Sequence, residues 1–517
     1  MSSRLLNSLS RLAGLALCAA LLSPLPATAA PEGEVLVVAP VLRQHFDPTQ
    51  IIATTDYLVN DLLFDGLLNN GPDGKYPALA TSWKVSPDGK QIDFELRQNV
   101  KFHNGDAFTA EDVKFTYDTM LKEGNTHSYR KGFVDSIERI EVTGQHQVRL
   151  VLKTPWLGFF TASRYGLQPI VPKAYYEKVG AKGFHEKPVG TGPFKLHSLQ
   201  AGEWTKYESN AEYWNKAPKV KYVKQQLVKE PFTRYAMLQK GEADIIAGLT
   251  GPLLDKIRTD KNVRIFSAKY SGTSALYFNV AKFPEAKDIK VRTAIGHAID
   301  LKTIAQTVLK GVCEPSPGIF TPATFGYLPG FKPIPYDPAK AKALLKEAGV
   351  APGKELTYSL HTESASLPNA PQVLEAIAGY LEAVGFKVTR EPYDMAAWMQ
   401  MMRGGKQPAV FYGTSAMPDD GGELLSGWYN SKAVWSSGNI ADPDYDKIFQ
   451  DQLAATDTKS RQQILQRFAK LEDERKRSVP LFWCGESFAV GPRLKDLKPA
   501  VGSPYHLKLE SIELVKK

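Results

Sequence analysis

Apolar positions along the chain form several short patterns with the two-residue period of β-strands. The run 35–38 is apolar without interruption, which is typical of a strand buried on both faces of a sheet. Apolar residues alternate in 92–96, and the turn-forming sequence 86–89 separates them from the strand-like segment 83–85. We therefore expect a β-hairpin here. The segment 148–152 repeats the alternation.

Other segments have the 3.6-residue period of helices. Asp337 suits an N-cap, Pro338 suits the first helical position, and Gly349 suits the end of an apolar stripe between them. Further helices are predicted after three other polar residues that suit an N-cap. These residues are Thr109, Asp288 and Asp442.

One stretch combines both periods. The strand-like segments 356–360 and 387–389 flank a helical pattern over 373–384, and this order predicts a βαβ unit. The patterns together predict a mixed α/β protein with more than one lobe.

Length and composition limit the class of protein. A chain of 517 residues exceeds the usual size of a single hydrophobic core. With 43% hydrophobic and 23% charged residues, it is neither disordered, collagen-like nor a multi-span membrane protein. Its net charge of +9 is spread among acidic residues without a dense basic block, so no nucleic-acid partner is predicted.

The N-terminus has the pattern of a secretory signal peptide. Arg4 and Arg11 precede the apolar stretch 12–22, and the small residues Ala27-Thr28-Ala29 follow. We expect cleavage after Ala29 and export, most simply to a bacterial periplasm. A membrane anchor is the alternative, but the stretch is barely long enough to span a bilayer and is interrupted by two prolines. Cys18 lacks the small preceding residue of a lipoprotein site, so no lipid anchor is expected.

Cysteine and histidine spacings offer no metal or redox motif. Cys313 and Cys484 form no CxxC pair, and their pairing in an oxidising compartment is left open by the sequence. The nine histidines form no HxxxH or HxH array, so neither a metal site nor a cofactor is predicted, although a metal bound through an organic carrier remains open. The chain also lacks the Gly-x-Ser-x-Gly and HExxH motifs of hydrolases, so no enzyme activity is predicted.

Several blocks of residues follow one another along most of the chain. They are Phe64 to Leu67, Pro77 to Trp83, the hairpin that continues to Arg97, Val100 to Asp106, Thr109 to Val113, Val189 to Phe194, Asn279, and Val291 to Asp300. Together these blocks resemble the bacterial family 5 extracellular solute-binding proteins, which are the dipeptide, oligopeptide and nickel receptors of ABC importers.

The resemblance implies a bilobed α/β clamshell of the periplasmic binding-protein type (type II-like, cluster C) with an extra subdomain in lobe I. On this sequence, lobe I is placed at 30–75, 190–275 and 483–517, and the extra subdomain at 76–189. Lobe II is placed at 276–482, with chain crossings near 276–279 and 480–483. A solute that contacts both lobes binds the closed form better and so drives closure.

Candidate ligand contacts lie near the predicted ends of strands. Asp47 follows the first strand, where either a ligand contact or a simple turn fits. Thr191 and Gly192 offer a hydroxyl and an approachable backbone, but Gly-Thr-Gly-Pro also suits a tight turn. Weaker candidates come from single residues. These are Arg164 for a carboxylate, His361 on the lobe II side, and Asn279 from the matching blocks.

The segment 412–429 departs from the peptide-binding pattern. If residues 413–417 are aligned without a gap on the Gly-Trp-x-x-Asp segment of peptide-binding relatives, the Asp that pairs with the ligand's α-amino group falls on Met417, whose thioether cannot neutralise an ammonium. Asp419 or Asp420 takes over this role if the loop shifts, while a solvated turn is the alternative. Trp428 and Tyr429 offer aromatic surface for a solute or belong to the core.

The resemblance implies a monomeric periplasmic receptor that captures a peptide or peptide-like solute for an inner-membrane ABC permease. An opine, a metal chelate or another amino-acid conjugate is the alternative solute, encouraged by Met417. A secreted hydrolase and a peptide-holding chaperone are the competing classes. The identity of the solute lies beyond the sequence.

Overall fold

The structure is a computed structural model that describes the greater part of the chain. The described residues are 33–42, 44–50, 61–71, 74–127, 130–161, 168–249, 251–362, 364, 367–403, 405–416, 420–431, 433, 435, 441–495, 497 and 509–515. The predicted signal peptide, Arg164, Met417 and Asp419 lie outside these residues.

Strands and helices alternate along the described chain. The strands are β1 (Glu34–Ala39), β2 (Leu68–Gly71), β3 (Gly74–Pro77), β4 (Ala80–Val85), β5 (Gln91–Leu96), β6 (Ile137–Gly144), β7 (Gln147–Leu152), β8 (Phe194–Gln200), β9 (Trp204–Ser209), β10 (Tyr222–Leu227), β11 (Ile245–Ile246), β12 (Arg264–Phe278), β13 (Cys313–Pro315), β14 (Glu355–His361), β15 (Lys387–Tyr393), β16 (Val410–Ala416), β17 (Val479–Val490), β18 (Leu494–Lys495) and β19 (Glu513–Leu514). The α-helices are α1 (Ala110–Leu121), α2 (Arg130–Ser136), α3 (Gly158–Thr161), α4 (Lys173–Glu186), α5 (Pro231–Gln239), α6 (Gly251–Arg258), α7 (Ile289–Ala298), α8 (Leu301–Thr307), α9 (Pro338–Glu347), α10 (Ala370–Ala383), α11 (Met395–Arg403), α12 (Gly421–Leu424), α13 (Pro443–Ala454) and α14 (Thr458–Arg475).

The local predictions from sequence patterns are confirmed. Strands β4 and β5 form the expected hairpin, and β14 and β15 pair in parallel around α10 as a βαβ unit. The predicted caps begin their helices. The Asp337 carboxylate accepts a bond from the backbone N–H of Lys340 at 2.9 Å, and the Asp288 carboxylate accepts one from Lys290 at 2.8 Å. These bonds satisfy N–H groups that the first helical turn leaves without partners.

One eleven-stranded sheet runs through most of the molecule. Its order is β15-β14-β16-β12-β17-β11-β1-β10-β9-β8, with β13 pairing with β17. The 15-residue β12 and the 12-residue β17 are antiparallel partners at its centre. Both predicted chain crossings fall on these strands, so β12 and β17 connect the two ends of the sheet.

Apolar side chains gather in separate clusters rather than in one core. The largest cluster lies between residues 276 and 484 and covers β14, β16 and the helices around them. A second lies between 67 and 170 around the four-stranded sheet β4-β5-β7-β6, and a third surrounds β1 and β10. This grouping is compatible with two lobes and an extra subdomain, whose boundaries stay a prediction.

A disulfide bond joins Cys313 of β13 to Cys484 of β17, with the two Cα atoms 4.1 Å apart. The structure therefore answers a question that the sequence left open. No helix in the part of the chain that the structure describes is long and apolar enough to span a bilayer.

Candidate solute-binding site

The strand order on the lobe II side predicts a crevice beside β14. The chain goes from β14 through α10 to β15 on one side, and then through α11 to β16 on the other side of β14. Strand β14 is parallel to both neighbours. Open α/β sheets bind ligands outside the carboxyl ends of their strands at such a reversal of strand order.

The lobe I side repeats this arrangement. Strand β1 is parallel to both β10 and β11, and its spatial order β11-β1-β10 again reverses the chain order at β1. A second crevice is therefore expected at the carboxyl ends of β1 and β11.

The two crevices face each other across β17. The last residue of β16, Ala416, pairs with Gly272 of β12, which pairs with Cys484 of β17. The last residue of β11, Ile246, pairs with Ala489. Because β16 runs in the direction of β17 and β11 runs against it, their carboxyl ends point toward each other. The stretch 484–489 lies between them, so both sheet halves border one site.

His361 ends β14 at the lobe II edge of this site. Its side chain is 3% exposed, and its ring centroid lies 4.3 Å from that of Trp398 and 4.9 Å from that of Tyr412. Within the part of the chain that the structure describes, the ring Nε2 has no hydrogen-bond partner. Burial lowers the pKa of His361 to about 4, so the imidazole is neutral at pH 7. A neutral imidazole can donate one hydrogen bond and accept another.

Asp420 has a structural partner. Its carboxylate accepts bonds from both terminal nitrogens of Arg461 at 2.6 and 2.8 Å, and one from the backbone N–H of Gly422 at 2.7 Å. Asp420 is fully buried and caps α12. Arg461 already neutralises the charge of Asp420, so Asp419 is the better candidate of the two for pairing with a solute cation. Contact between Asp420 and a solute stays a prediction.

Trp428 and Tyr429 lie in an apolar cluster of the lobe II side. The Trp428 ring stacks on Tyr277 at 4.4 Å, and the Tyr429 hydroxyl lies 2.8 Å from that of Ser478. Both side chains belong to a π-helical turn, Leu425–Tyr429, and are at most 7% exposed. These contacts agree with the core alternative, and contact with a solute stays a prediction.

Asp47 forms a buried turn on the lobe I side. Its carboxylate accepts bonds from the backbone N–H of Thr49 at 2.9 Å and from the hydroxyl of Tyr176 at 2.7 Å. Burial raises the pKa of Asp47, because the charged form loses its hydration. The residue holds the start of the 3₁₀ turn Pro48–Gln50, as the simple-turn alternative requires.

Thr191 and Gly192 lie at a tight junction. The Thr191 hydroxyl donates to the buried Asp65 carboxylate at 2.9 Å. A Cβ atom on Gly192 would lie 2.4 Å from the carbonyl carbon of Leu63, so only glycine fits this approach. Asn279 is likewise buried, and its side-chain amide donates to the backbone carbonyl of Gln407 at 2.9 Å. These contacts are structural, and no described contact assigns a solute to these residues.

Sequence reasoning missed three residues at the lobe II edge. Tyr412 and Trp398 pack against His361, and the half-buried Thr414 donates to the backbone carbonyl of Thr273 at 3.1 Å. The apolar run Ala409 to Tyr412 was an available signal for strand β16. Among the described residues, no three His, Cys, Asp or Glu side chains are placed to hold a metal ion.

Two sheet halves joined by crossing strands, with a site between them, define the bilobed class of solute-binding proteins. Comparison with known proteins gives the family. The model of the family described as "Bacterial extracellular solute-binding proteins, family 5 Middle" matches residues 75–436. The chain belongs to this family. Its members bind peptide or small-molecule solutes and work with an ABC transporter permease.

Similar proteins agree over nearly the whole chain. Di/tripeptide-binding protein 1 of Pseudomonas aeruginosa is 28% identical over 492 residues, covering 89% of this chain and 90% of its own. The periplasmic binding protein DppA of Helicobacter pylori, solved with the peptide STSA, superposes with a TM-score of 0.81 at 23% identity, covering 94% and 99% of the two chains. AgaA of A. tumefaciens R10, solved with agropinic acid, gives a TM-score of 0.81 at 26% identity, covering 94% and 99%.

Proposed function

We propose that this protein is a non-catalytic periplasmic receptor for a peptide or peptide-like solute, which it delivers to an inner-membrane ABC permease. The observation that carries this proposal is the pair of opposed crevices at the carboxyl ends of β16 and β11. Family membership and the similarity to di/tripeptide-binding protein 1 support the choice of solute. The receptor acts as a monomer after its signal peptide is removed.

Closure follows from the position of the site. A solute between the crevices contacts lobe I and lobe II together only when the two approach each other. Since it binds the closed form better, it shifts the population toward that form. Strands β12 and β17 are the elements that bend, because both continue from one sheet half into the other.

His361 and Asp419 have distinct proposed roles. The Nε2 of His361 has no partner among the described residues, and the ring is neutral, so it suits a hydrogen bond to an uncharged amide of the solute. Asp419 is the proposed partner of a solute ammonium, because Arg461 already neutralises Asp420. Other proposed ligand contacts carry over from the sequence. These are Asp47, Arg164, Thr191, Gly192, Asn279, Met417, Trp428 and Tyr429.

An opine, a metal chelate or another amino-acid conjugate is the second proposed solute class. The structural role of Asp420 favours it, because one of the two acids that replace the amine-binding carboxylate is already paired. The similarity to AgaA, which was solved with agropinic acid, adds support.

Native mass spectrometry of protein purified without unfolding tests the function. We expect a discrete co-purified small molecule, displaced by a mixture of dipeptides. A co-purified solute that dipeptides do not displace favours the conjugate class. Hydrolysis of peptide or ester substrates by the purified protein would overturn the receptor proposal in favour of an enzyme.

Asp419→Asn tests the amine partner, with Asp255→Asn as an acidic control whose side chain is 51% exposed on α6. The first is expected to weaken dipeptide binding by at least tenfold, which corresponds to about 1.4 kcal/mol. The control should leave binding unchanged. A dissociation constant within about twofold of the original for Asp419→Asn excludes this role.

A further inference from the structure

The extra subdomain contacts lobe II at a place that is separate from β12 and β17. Residues 155–161, here called the subdomain tip, include the short helix α3. A Cβ atom built on Gly158 would lie 3.6 Å from the Nη2 atom of Arg461, which is ordinary van der Waals contact, and 3.1 Å from the Nε1 atom of Trp156 within the tip, which is a tighter contact. Beside this contact, a small pocket has Thr456 on one side and Pro155 and Leu157 on the other.

The lobe II surface under the tip is rigidly held. Arg461 is 3% exposed, and its guanidinium also donates to the side-chain oxygen of Gln452 at 2.8 Å. Asp457, next to Thr456, caps α14 by accepting a bond from the backbone N–H of Ser460 at 2.9 Å. The buried bidentate ion pair and the capped start of the helix together form a preorganised contact surface for the tip.

The subdomain itself is fastened to lobe I. The backbone N–H of Ile170 donates to the carbonyl of Asp65 at 3.0 Å, and the Tyr176 hydroxyl donates to Asp47 at 2.7 Å. The His103 ring also donates to the carbonyl of Gly192 at 3.0 Å. Because these bonds are at least partly buried, the subdomain is expected to move with lobe I.

We propose that the subdomain tip and the Thr456–Arg461 surface form a closing contact that exists only when the two lobes are together. This proposal rests on the proposed function, because it needs a receptor that opens and closes. A contact made in the closed form alone stabilises that form with or without solute. It therefore sets how much of the empty receptor is already closed, and with it the apparent affinity for solute.

Two substitutions approach the contact from opposite sides. Thr456→Arg introduces a long cation at an exposed position on lobe II, and Gly158→Arg introduces one on the tip beside Arg461. Gly379→Arg is the matched control, because it adds the same side chain on α10 where a Cβ atom would meet nothing within 4 Å. Unfolding curves establish that each variant is folded.

Hydrogen exchange of the dialysed protein without added ligand is the main measurement. Thr456→Arg is expected to speed amide exchange of residues 156–160, on the opposite lobe, by about tenfold, and to increase the radius of gyration in small-angle scattering. Gly158→Arg should do the same for residues 456–461. The control should change neither quantity.

The proposal of a closing contact is overturned if folded Thr456→Arg has amide exchange rates within twofold of the original protein and an unchanged radius of gyration. Because this measurement uses no solute, its outcome is independent of the mass-spectrometry test. If a solute co-purifies but amide exchange of the tip does not respond to Thr456→Arg, only the closing contact is rejected. If amide exchange responds but the protein hydrolyses peptides, the closing contact is supported and the receptor function is rejected.

Discussion

At the scale of single residues, burial and partners decide what a charged side chain does. Asp420 belongs to a Pro-Asp-Asp-Gly-Gly sequence, which is typical of a solvated turn. The structure shows instead that Asp420 is fully buried and paired with Arg461, 41 positions further along the chain. Taking both charges out of water is costly, and their mutual bonds must offset this cost. Removing one partner leaves the other unpaired in the interior.

Asp420→Asn is therefore expected to lower the free energy of unfolding by about 3 to 5 kcal/mol, as measured by urea denaturation. The control is Glu355→Gln, whose ion pair with Lys387 has side chains 72% and 69% exposed. Water screens an exposed pair, so this change should have little effect on the free energy of unfolding. Equal effects of the two substitutions would show that the Asp420–Arg461 pair is not the stabilising element described here.

His361 predicts a pH dependence of stability. Its pKa falls from the ordinary 6.5 to about 4 because burial disfavours the charged ring. Between these values the unfolded chain binds a proton that the folded protein does not. The folded protein is therefore most stable, as far as His361 is concerned, above pH 6.5. As the pH falls from 6.5 toward 4, the free energy of unfolding decreases by about 1.4 kcal/mol per pH unit.

The matched measurement compares the original protein with His361→Gln by urea denaturation from pH 7 to pH 4. The original protein is expected to lose about 2 to 3 kcal/mol more than the variant over this range. Parallel curves for the two proteins would contradict a neutral, buried imidazole. Other buried titrating groups act on both proteins alike and cancel in the comparison.

At the scale of elements, β17 organises the centre of the sheet. It pairs with β12 and β11, and the Cys313–Cys484 disulfide attaches β13 to it. The bond closes a loop of 171 residues that contains most of predicted lobe II. A cross-link over such a long loop strongly restricts the unfolded chain.

Replacing both cysteines by serine is expected to lower the free energy of unfolding by about 3 to 5 kcal/mol. The expected reason is the greater conformational freedom of the unfolded chain, so the folded secondary structure by circular dichroism should stay the same. Chemical reduction of the original protein should lower its stability to that of the variant. A variant as stable as the original would exclude a stabilising role for the bond.

At the scale of the whole molecule, the proposed closure brings the two sheet halves together around a solute. Addition of a dipeptide mixture to dialysed protein is expected to decrease the radius of gyration in small-angle scattering. The physical reason is that a solute in contact with both crevices stabilises the closed form. The proposed closure is contradicted if the radius of gyration stays the same at a dipeptide concentration that calorimetry shows to be saturating. The single amino acid glycine, which lacks a peptide bond, serves as the control solute.

Local elements were predictable because their causes are local. The period of apolar positions, the turn 86–89 and the caps Asp288 and Asp337 depend on neighbours a few residues away, and the structure confirms them. The blocks around Gly190–Phe194 also led to the correct family and fold class. The sequence by itself therefore determined the strands, the helices and the kind of protein that they build.

Only the tertiary structure decided the buried partners of these polar residues. Asp47, Thr191 and Asp420 each bond to a residue far along the chain: Tyr176, Asp65 and Arg461. The same holds for the pairing of Cys313 with Cys484 and for the two facing crevices. The physical reason is that such contacts depend on how distant segments pack, and no pattern within one segment carries that information.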